Sequence, residues 1–391
     1  QLATTPGTPA GQAGDVDAGL AKASKTIDVE YSVPYLAHAP MEPLNCTVRI
    51  SAEQCEIWTG TQFQTGDQAL AANITGLKPE QVKVNTTFLG GAFGRRANPA
   101  GDFVGEAVHV AKAAGMPVKT VWTREDDTRG GFYRPMFLER ARVALGKDGL
   151  PAAWHQVLVG QSIMAGTPFE GMIKDGVDGS SVEGVSDSPY IKATPDHRVE
   201  LHSPRTGIPV LWWRSVGHSQ NAFVMESLVD ELAAAAGEDP LAYRRRLLKD
   251  HPRHLGVLNL AAEKAGWGSK LPEGRARGIA VHESFGSYVA AHAARTLAAR
   301  HQPVRHLVLV GCAAGKWPMP NVRHDTLVIH GENDETIPLA DVFEWARPQN
   351  LPVVVVPGAD HFFHRRLPLL KTLISAHILG MSSFDAAQQT P

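Results

Sequence analysis

The hydrophobic pattern of this 391-residue chain changes character at residues 284–290 (SFGSYVA). Before this stretch, apolar and polar residues alternate in strand-like runs such as Lys25–Val33 (KTIDVEYSV), with proline- and glycine-rich segments between them. Beyond it, the apolar runs at residues 306–310, 325–329 and 353–356 alternate with helical segments, which is the pattern of a buried parallel sheet. The sequence therefore predicts an α+β region followed by a partial α/β region.

Composition narrows the classes of function. The chain is 43% hydrophobic and 20% charged, which is ordinary for a globular protein, and its formal net charge of -2 gives no reason to expect a nucleic-acid partner. Three scattered cysteines predict neither a disulfide framework nor a zinc site. No apolar run approaches the roughly 20 residues of a membrane helix, and we recognise no signal peptide. The compartment, bacterial periplasm or cytoplasm, stays open.

The first residues read as a linker. Residues 1–15 (QLATTPGTPAGQAGD) are rich in proline, glycine, alanine and threonine, and the chain begins with Gln1 instead of methionine. We therefore expect residues 1–24 to be a linker inside a longer chain.

A glycine-rich loop follows a predicted strand at residues 81–88. The loop consists of Gly90, Gly91, Ala92, Phe93 and Gly94. Its glycines allow close approach to a ligand, and its N–H groups predict an anion-binding nest. Arg95 and Arg96 follow as a phosphate-compatible fork. The loop matches neither the Rossmann nor the P-loop pattern.

Two further polar residues lie in a proline-rich loop at residues 34–45. His38 and Glu42 could be site residues there, but we interpret them as surface groups or local hydrogen-bond partners.

Ser284 lies between a strand-like run and a helical segment (residues 287–301), which is the arrangement of a nucleophile elbow. His282 occupies the position of the first glycine in that pattern, so an unreactive turn serine remains the alternative. Asp334 (in HGENDETIP) and His361 (in GADHFF) follow predicted strand ends, where open α/β sheets gather ligand chemistry.

Six blocks in the first region resemble the molybdopterin-binding large subunit of the xanthine oxidase family, particularly the isoquinoline 1-oxidoreductase or aldehyde dehydrogenase type. They cover about residues 21–289. The blocks are YLAHAPMEPLN, TQFQTGDQ, LGGAFGRR, TREDD, WWRSVGHSQNAFVMES and GRARGIAVHESFGSYVA.

The resemblance implies a molybdenum–pterin cofactor at residues 90–95, with Phe93 facing the metal's oxo group. It implies that Trp213 and Arg214 lie beside the pocket of a small-molecule substrate, an aldehyde or N-heterocycle, and that an iron–sulfur subunit takes the electrons. The family's catalytic glutamate lies in a downstream Gly-Glu-Pro-like segment, and nothing after Ala290 resembles it.

The blocks around Asp334 and His361 resemble those of α/β hydrolases, over about residues 284–379. That resemblance implies a triad in which His361 takes the Ser284 proton and Asp334 orients the imidazole. The predicted domains are 25–283 (partial molybdopterin-binding domain), 284–381 (partial hydrolase domain) and 382–391 (flexible tail). Such a chimera leaves three functions open: a partial molybdenum hydroxylase, a serine hydrolase or an inactive protein.

Overall fold

The structure is a computed structural model, and the chain divides into two compact units, Gln1–His282 and Glu283–Pro391. The residues that it describes are 1–281, 308–310, 312, 314–315, 319–322, 326–335, 337–360, 366, 369–370 and 372–374.

The first unit mixes strands and helices. Its strands are β1 (Thr8–Ala13), β2 (Lys25–Val33), β3 (Leu36–Ala37), β4 (Asn45–Ile50), β5 (Cys55–Thr59), β6 (Val82–Thr86), β7 (Val118–Val121), β8 (Tyr133–Arg134), β9 (Phe137–Leu145), β10 (Pro151–Gly160) and β11 (Asp196–His202). Its helices are α1 (Val16–Ala21), α2 (Gln64–Thr75), α3 (Asp102–Ala114), α4 (Arg124–Arg129), α5 (Gly179–Val182), α6 (Pro189–Lys192), α7 (His218–Ala236), α8 (Pro240–Leu247) and α9 (Pro252–Lys264).

The larger core of this unit forms around a five-stranded sheet of order β1-β11-β10-β9-β2. β10 and β11 pair in parallel and the other neighbours pair antiparallel. Several apolar residues of α7, among them Met225 and Leu228, are fully buried with Trp154 and Leu158 of β10. Because this helix is long and deeply packed, it fixes where its N-terminal end and the preceding loop lie.

A second core forms around a four-stranded sheet of order β6-β5-β4-β7. Helices α2 and α3 supply its other layer, with Val104 and Val108 of α3 buried beside Val48 and Ile57 of β4 and β5. α3 ends at Gly115, which adopts the left-handed conformation (φ 63°) typical of a helix C-cap. The glycine-rich loop at residues 90–94 lies between β6 and α3 in the sequence.

The expectation that residues 1–24 form a linker was wrong. Residues Thr8–Ala13 form the edge strand β1, which pairs antiparallel with β11, and α1 follows directly. The Asp15 side chain accepts the Ala18 N–H at the start of α1, and Val16 is buried. The strand contains a proline and a glycine, so its pairing comes from β11 and not from its own β-propensity.

In the second unit, three described strands form a parallel sheet in the order β12-β13-β14: β12 (Val308–Val310), β13 (Leu327–Gly331) and β14 (Val353–Val356). Helix α10 (Leu339–Ala346) connects the last two strands. This parallel sheet agrees with the predicted strand runs. The predicted tail at residues 382–391 lies outside the described residues.

The strand-like run that precedes Ser284 is not a strand where the structure describes it, since residues 278–281 have no regular secondary structure. None of the helices in the described ranges combines the length and apolarity that a membrane span requires.

Candidate functional site

The glycine-rich loop has a backbone that few residues other than glycine adopt. Gly90, Gly91 and Gly94 have φ values of 59°, 92° and 101°, and Phe93 is also left-handed at 56°. A Cβ on Gly94 would lie 2.5 Å from the carbonyl oxygen of Trp212. Glycine is therefore required at position 94 both by backbone conformation and by space, and the strained Phe93 is held in place by its surroundings.

Three successive N–H groups of this loop are available to a ligand. The Gly94 N–H donates to Oε1 of Gln62 (3.2 Å). Within residues 1–281, the N–H groups of Gly91, Ala92 and Phe93 have no hydrogen-bond partner. Successive free N–H groups in a left-handed turn form a concave anion-binding surface.

The interpretation of Arg95 and Arg96 as a phosphate-binding fork was wrong. Arg95 is 1% exposed, and its guanidinium donates to both carboxylate oxygens of Asp102, at 3.2 and 2.6 Å. Arg96, also 1% exposed, donates to the carbonyl oxygens of Gly60 and Gly91, each at 3.2 Å. These buried arginines brace the loop from inside the protein, because Arg95 pairs with a carboxylate and Arg96 with backbone carbonyls, although Nε of Arg95 has no hydrogen-bond partner.

Three residues that the resemblance assigned to one site do come together. The rings of Phe93 and Trp213 stack with centroids 6.4 Å apart and an interplanar angle of 15°. The guanidinium carbon of Arg214 lies 5.5 Å from the centroid of the Phe93 ring, within the range of a cation–π contact. Arg214 is exposed and has no carboxylate partner among residues 1–281. The site therefore presents two parallel aromatic rings beside an unpaired cation.

His38 supports this stack from behind. It is 5% exposed, its ring stacks on Trp213 at 4.8 Å, and its Nε2–H donates to the Trp212 carbonyl at 2.9 Å. Burial lowers the pKa of His38, so the imidazole is neutral at pH 7. The interpretation of His38 as a surface group or a local hydrogen-bond partner was wrong, because the side chain is buried and its partner Trp212 lies 174 residues away in the sequence.

Gln62 and Trp212 are the site residues that sequence reasoning missed. Gln62 holds Gly94, and Trp212 supplies the carbonyl that both His38 and Gly94 approach. Both residues lie inside blocks that carried the family resemblance. Their roles depend on contacts between distant segments, which spacing along the chain cannot reveal.

The predicted hydrolase triad is described at only one position. Asp334 follows β13 and is buried; its Oδ1 accepts the Ile337 N–H at 2.9 Å, and its Oδ2 lies 3.3 Å from Nε2 of His330. Ser284 and His361 lie outside the described residues.

Residues 4–248 match the family described as "Molybdopterin cofactor-binding domain". The chain belongs to this family. The molybdopterin cofactor-binding domain thus accounts for most of the first unit, and the resemblance recognised in the sequence blocks is confirmed.

Curated relatives are oxidoreductase subunits. The chain is 30% identical to the beta subunit of isoquinoline 1-oxidoreductase from Brevundimonas diminuta, over 73% of this chain and 36% of that protein. It is also 30% identical to a subunit of nicotinate dehydrogenase from Pseudomonas putida, over 72% of this chain and 25% of that protein. The chain therefore spans between a quarter and about a third of these relatives' lengths, and it is related to the large subunits of molybdenum hydroxylases.

Solved structures give the same fold. Aldehyde oxidoreductase from Desulfovibrio gigas matches with a TM-score of 0.51 and 21% identity, over 67% of this chain and 30% of that one. Quinoline 2-oxidoreductase from Pseudomonas putida 86 matches with a TM-score of 0.52 and 19% identity, over 66% and 34%. These identities establish the fold of the molybdopterin cofactor-binding domain and nothing finer.

Proposed function

We propose that the first unit binds a molybdenum–pterin cofactor at residues 90–94 and serves as part of an oxidoreductase of aldehydes or N-heterocycles. The observation that carries this proposal is the stack of Phe93 on Trp213, with Arg214 beside it, at a loop in which three successive N–H groups have no partner among residues 1–281.

The residues at this loop fit such a cofactor. The free N–H groups of Gly91, Ala92 and Phe93 can donate to oxo or phosphate oxygens. Gly91 has a left-handed backbone (φ 92°), and a Cβ there would press on the Phe93 ring at 3.3 Å and on the Met41 backbone at 3.4 Å, so a side chain at this position would disturb the loop. Gln62, through its bond to the Gly94 N–H, keeps the loop in this conformation.

Substrate would be positioned by the aromatic rings. Phe93 and Trp213 offer flat apolar faces on which a planar aldehyde or heterocycle can stack. Arg214 adds a cation that can donate to a polar substrate atom. When bound, the cofactor supplies the two-electron oxidation chemistry, and the protein supplies binding and orientation.

The described neighbours of the loop supply no evident general base. His38 donates its Nε2–H to a carbonyl and its other ring nitrogen, Nδ1, is buried away from solvent, while the Glu42 carboxylate accepts from Nδ2 of Asn45 at 2.7 Å. We therefore expect turnover to require a further carboxylate from another segment or chain, and an iron–sulfur partner subunit to accept electrons. By itself the chain should bind cofactor without turning over substrate.

Reconstitution tests the proposal. The purified chain is incubated with cofactor released from a molybdoenzyme and passed through gel filtration, and molybdenum and pterin are then quantified. We expect about one of each per chain, with retention at least tenfold weaker in Gly91→Ala. The matched control is Gly115→Ala, another left-handed glycine (φ 63°) with open space around it. A folded wild-type chain that retains neither group would overturn the proposal.

A second candidate, a serine hydrolase using Ser284, Asp334 and His361, is favoured by one observation. Asp334 is buried at the C-terminal end of the central strand of a parallel sheet, where such folds gather catalytic groups. Intact-mass detection of fluorophosphonate labelling tests it, with Ser284→Ala and His361→Ala as controls. Labelling that both variants abolish supports the hydrolase; no labelling of folded protein rejects it.

A further inference from the structure

The loop that carries Trp213 and Arg214 enters α7 through a strained turn. Val216 is β-branched and nevertheless left-handed, with φ of 48°. The Val216 N–H donates to the Trp213 carbonyl at 2.8 Å, which closes the turn on the site residue itself. A β-branched residue adopts this conformation only where its surroundings impose it.

The segment that imposes it contains Glu183. The Gly217 N–H, at the start of α7, donates to Oε2 of Glu183 at 3.1 Å. The Asn221 side chain, one turn into α7, donates to the carbonyl oxygens of Glu183 (2.6 Å) and Ser181 (3.0 Å). A Cβ on Gly217 would collide with the backbone of Ser180 and with Glu183. The end of the loop is therefore pressed against residues 180–183 and tied to them.

We propose that Glu183 is a positioning residue that sets the orientation of Trp213 and Arg214 by holding the Gly217 N–H. It touches neither ring nor cation of the site, so it acts only through the loop. The proposal rests on the proposed function solely in treating Trp213 and Arg214 as site residues. The hydrogen bonds that support it are independent of any cofactor.

The positioning should depend on pH. Burial raises the pKa of Glu183 to about 7, with further raising by the carboxylates of Asp187 and Asp178, while the Gly217 N–H opposes this. On α7, the ring of His218 lies close to Gly184, and Arg214 is the charged group on the loop itself. An ionised carboxylate accepts a stronger hydrogen bond than a neutral carboxyl does. Glu183 therefore holds the loop more tightly above about pH 7 than below it.

Fluorine NMR measures this directly on the cofactor-free, full-length chain. The eight tryptophans are replaced by 5-fluorotryptophan, and the Trp213 resonance is assigned from its loss in Trp213→Phe. We expect that resonance to titrate with a midpoint near pH 7 in the wild type. Glu183→Gln, whose amide oxygen still accepts from Gly217, should show one pH-independent position. Glu183→Ala should shift and broaden the resonance at every pH.

A matched control is Glu53→Gln, which makes the same change at an exposed residue and should leave the wild-type titration intact. Persistence of the titration in Glu183→Gln would assign it to another group, such as His218, and overturn the proposal. An unchanged resonance in Glu183→Ala would do the same. If Glu183→Ala does not fold, the proposal is tested by comparing the pH titration of the Trp213 resonance in Glu183→Gln with that in the wild type. Because no cofactor is present, failure of reconstitution and failure of this proposal remain distinguishable.

Discussion

At the scale of single residues, Gly94 combines two constraints that can be separated by experiment. Gly94→Ala adds a Cβ that would approach the Trp212 carbonyl, whereas Gly76→Ala adds one at a similarly left-handed glycine (φ 81°) with open space around it. We expect Gly94→Ala to lower the free energy of unfolding by about 1–3 kcal/mol more than Gly76→Ala does. Urea unfolding followed by tryptophan fluorescence measures both. Equal losses would mean that the Trp212 contact is relieved at no cost.

Glu139 gives a prediction for pH dependence. It is buried on β9, and burial raises the pKa of its carboxyl to about 7, although Gln156 donates to it at 2.8 Å. A raised pKa in the folded state favours folding below the unfolded value of about 4.5 and loses that contribution as pH rises through 7. The wild type should therefore lose about 3 kcal/mol from this residue over that range.

Glu139→Gln removes this titration. Its stability relative to the wild type should rise between pH 5 and pH 8.5, as measured by urea unfolding at both values. The exposed substitution Glu53→Gln should show no such change. A relative stability of Glu139→Gln that is the same at both pH values would contradict the assignment.

The sequence indicated the glycine-rich loop at residues 90–94 as a candidate site because three glycines in five positions indicate a backbone that turns tightly and lets a ligand come close. It could not identify the role of Arg95, whose partner Asp102 lies at the start of α3 and fixes the guanidinium inside the protein. Charge is visible in a sequence, but the direction of a side chain depends on packing. For the same reason His38, in a proline-rich loop, gave no sign of its stack on Trp213.

At the scale of elements, the sequence predicted strands that have a strong periodic pattern and missed those that have a weak one. The alternating run Lys25–Val33 is strand β2 over the predicted span, and the apolar run at residues 353–356 is strand β14. Strand β1 was not predicted because its residues show no alternation of apolar and polar side chains. It forms because it pairs with β11, which lies nearly two hundred residues away in the sequence. The local sequence pattern gives no information about so distant a partner.

Hydrogen exchange can test that dependence. Replacing Thr8–Ala13 with GSGSGS preserves chain length but weakens the edge strand, because added glycine increases the entropy lost on ordering. Amides of β11 that face β1 should exchange at least about tenfold faster, which corresponds to about 1.4 kcal/mol of lost local stability. Amides in the β4–β5 pair, which belong to the other sheet, serve as the internal reference. Unchanged exchange in β11 would show that β1 adds nothing.

At the scale of the whole molecule, the change in hydrophobic pattern near residue 284 predicted the two-part organisation. Alternating runs indicate strands with one buried face, whereas continuous apolar runs indicate strands buried on both faces. Along the chain, the boundary between the two compact units falls between His282 and Glu283. Each has its own buried clusters, around Trp154 and Leu228 in the first and around Leu309 and Val328 in the second. The family match covers residues 4–248, yet apolar residues after it also pack on the first core.

This packing predicts where the first unit can be cut. The fragment 1–282 keeps α9, whose Leu258 and Ala262 are buried, together with Trp267, which packs against the same core. We expect it to unfold cooperatively at the temperature of the corresponding transition in the full chain. The fragment 1–248, which ends where the family match ends, loses these groups and should be less stable by several kcal/mol, given about 2 kcal/mol for one buried leucine. Calorimetry compares the three proteins. Equal stability of the two fragments would place the boundary of the folding unit at residue 248, and failure of 1–282 to unfold cooperatively would mean that its core requires the rest of the chain.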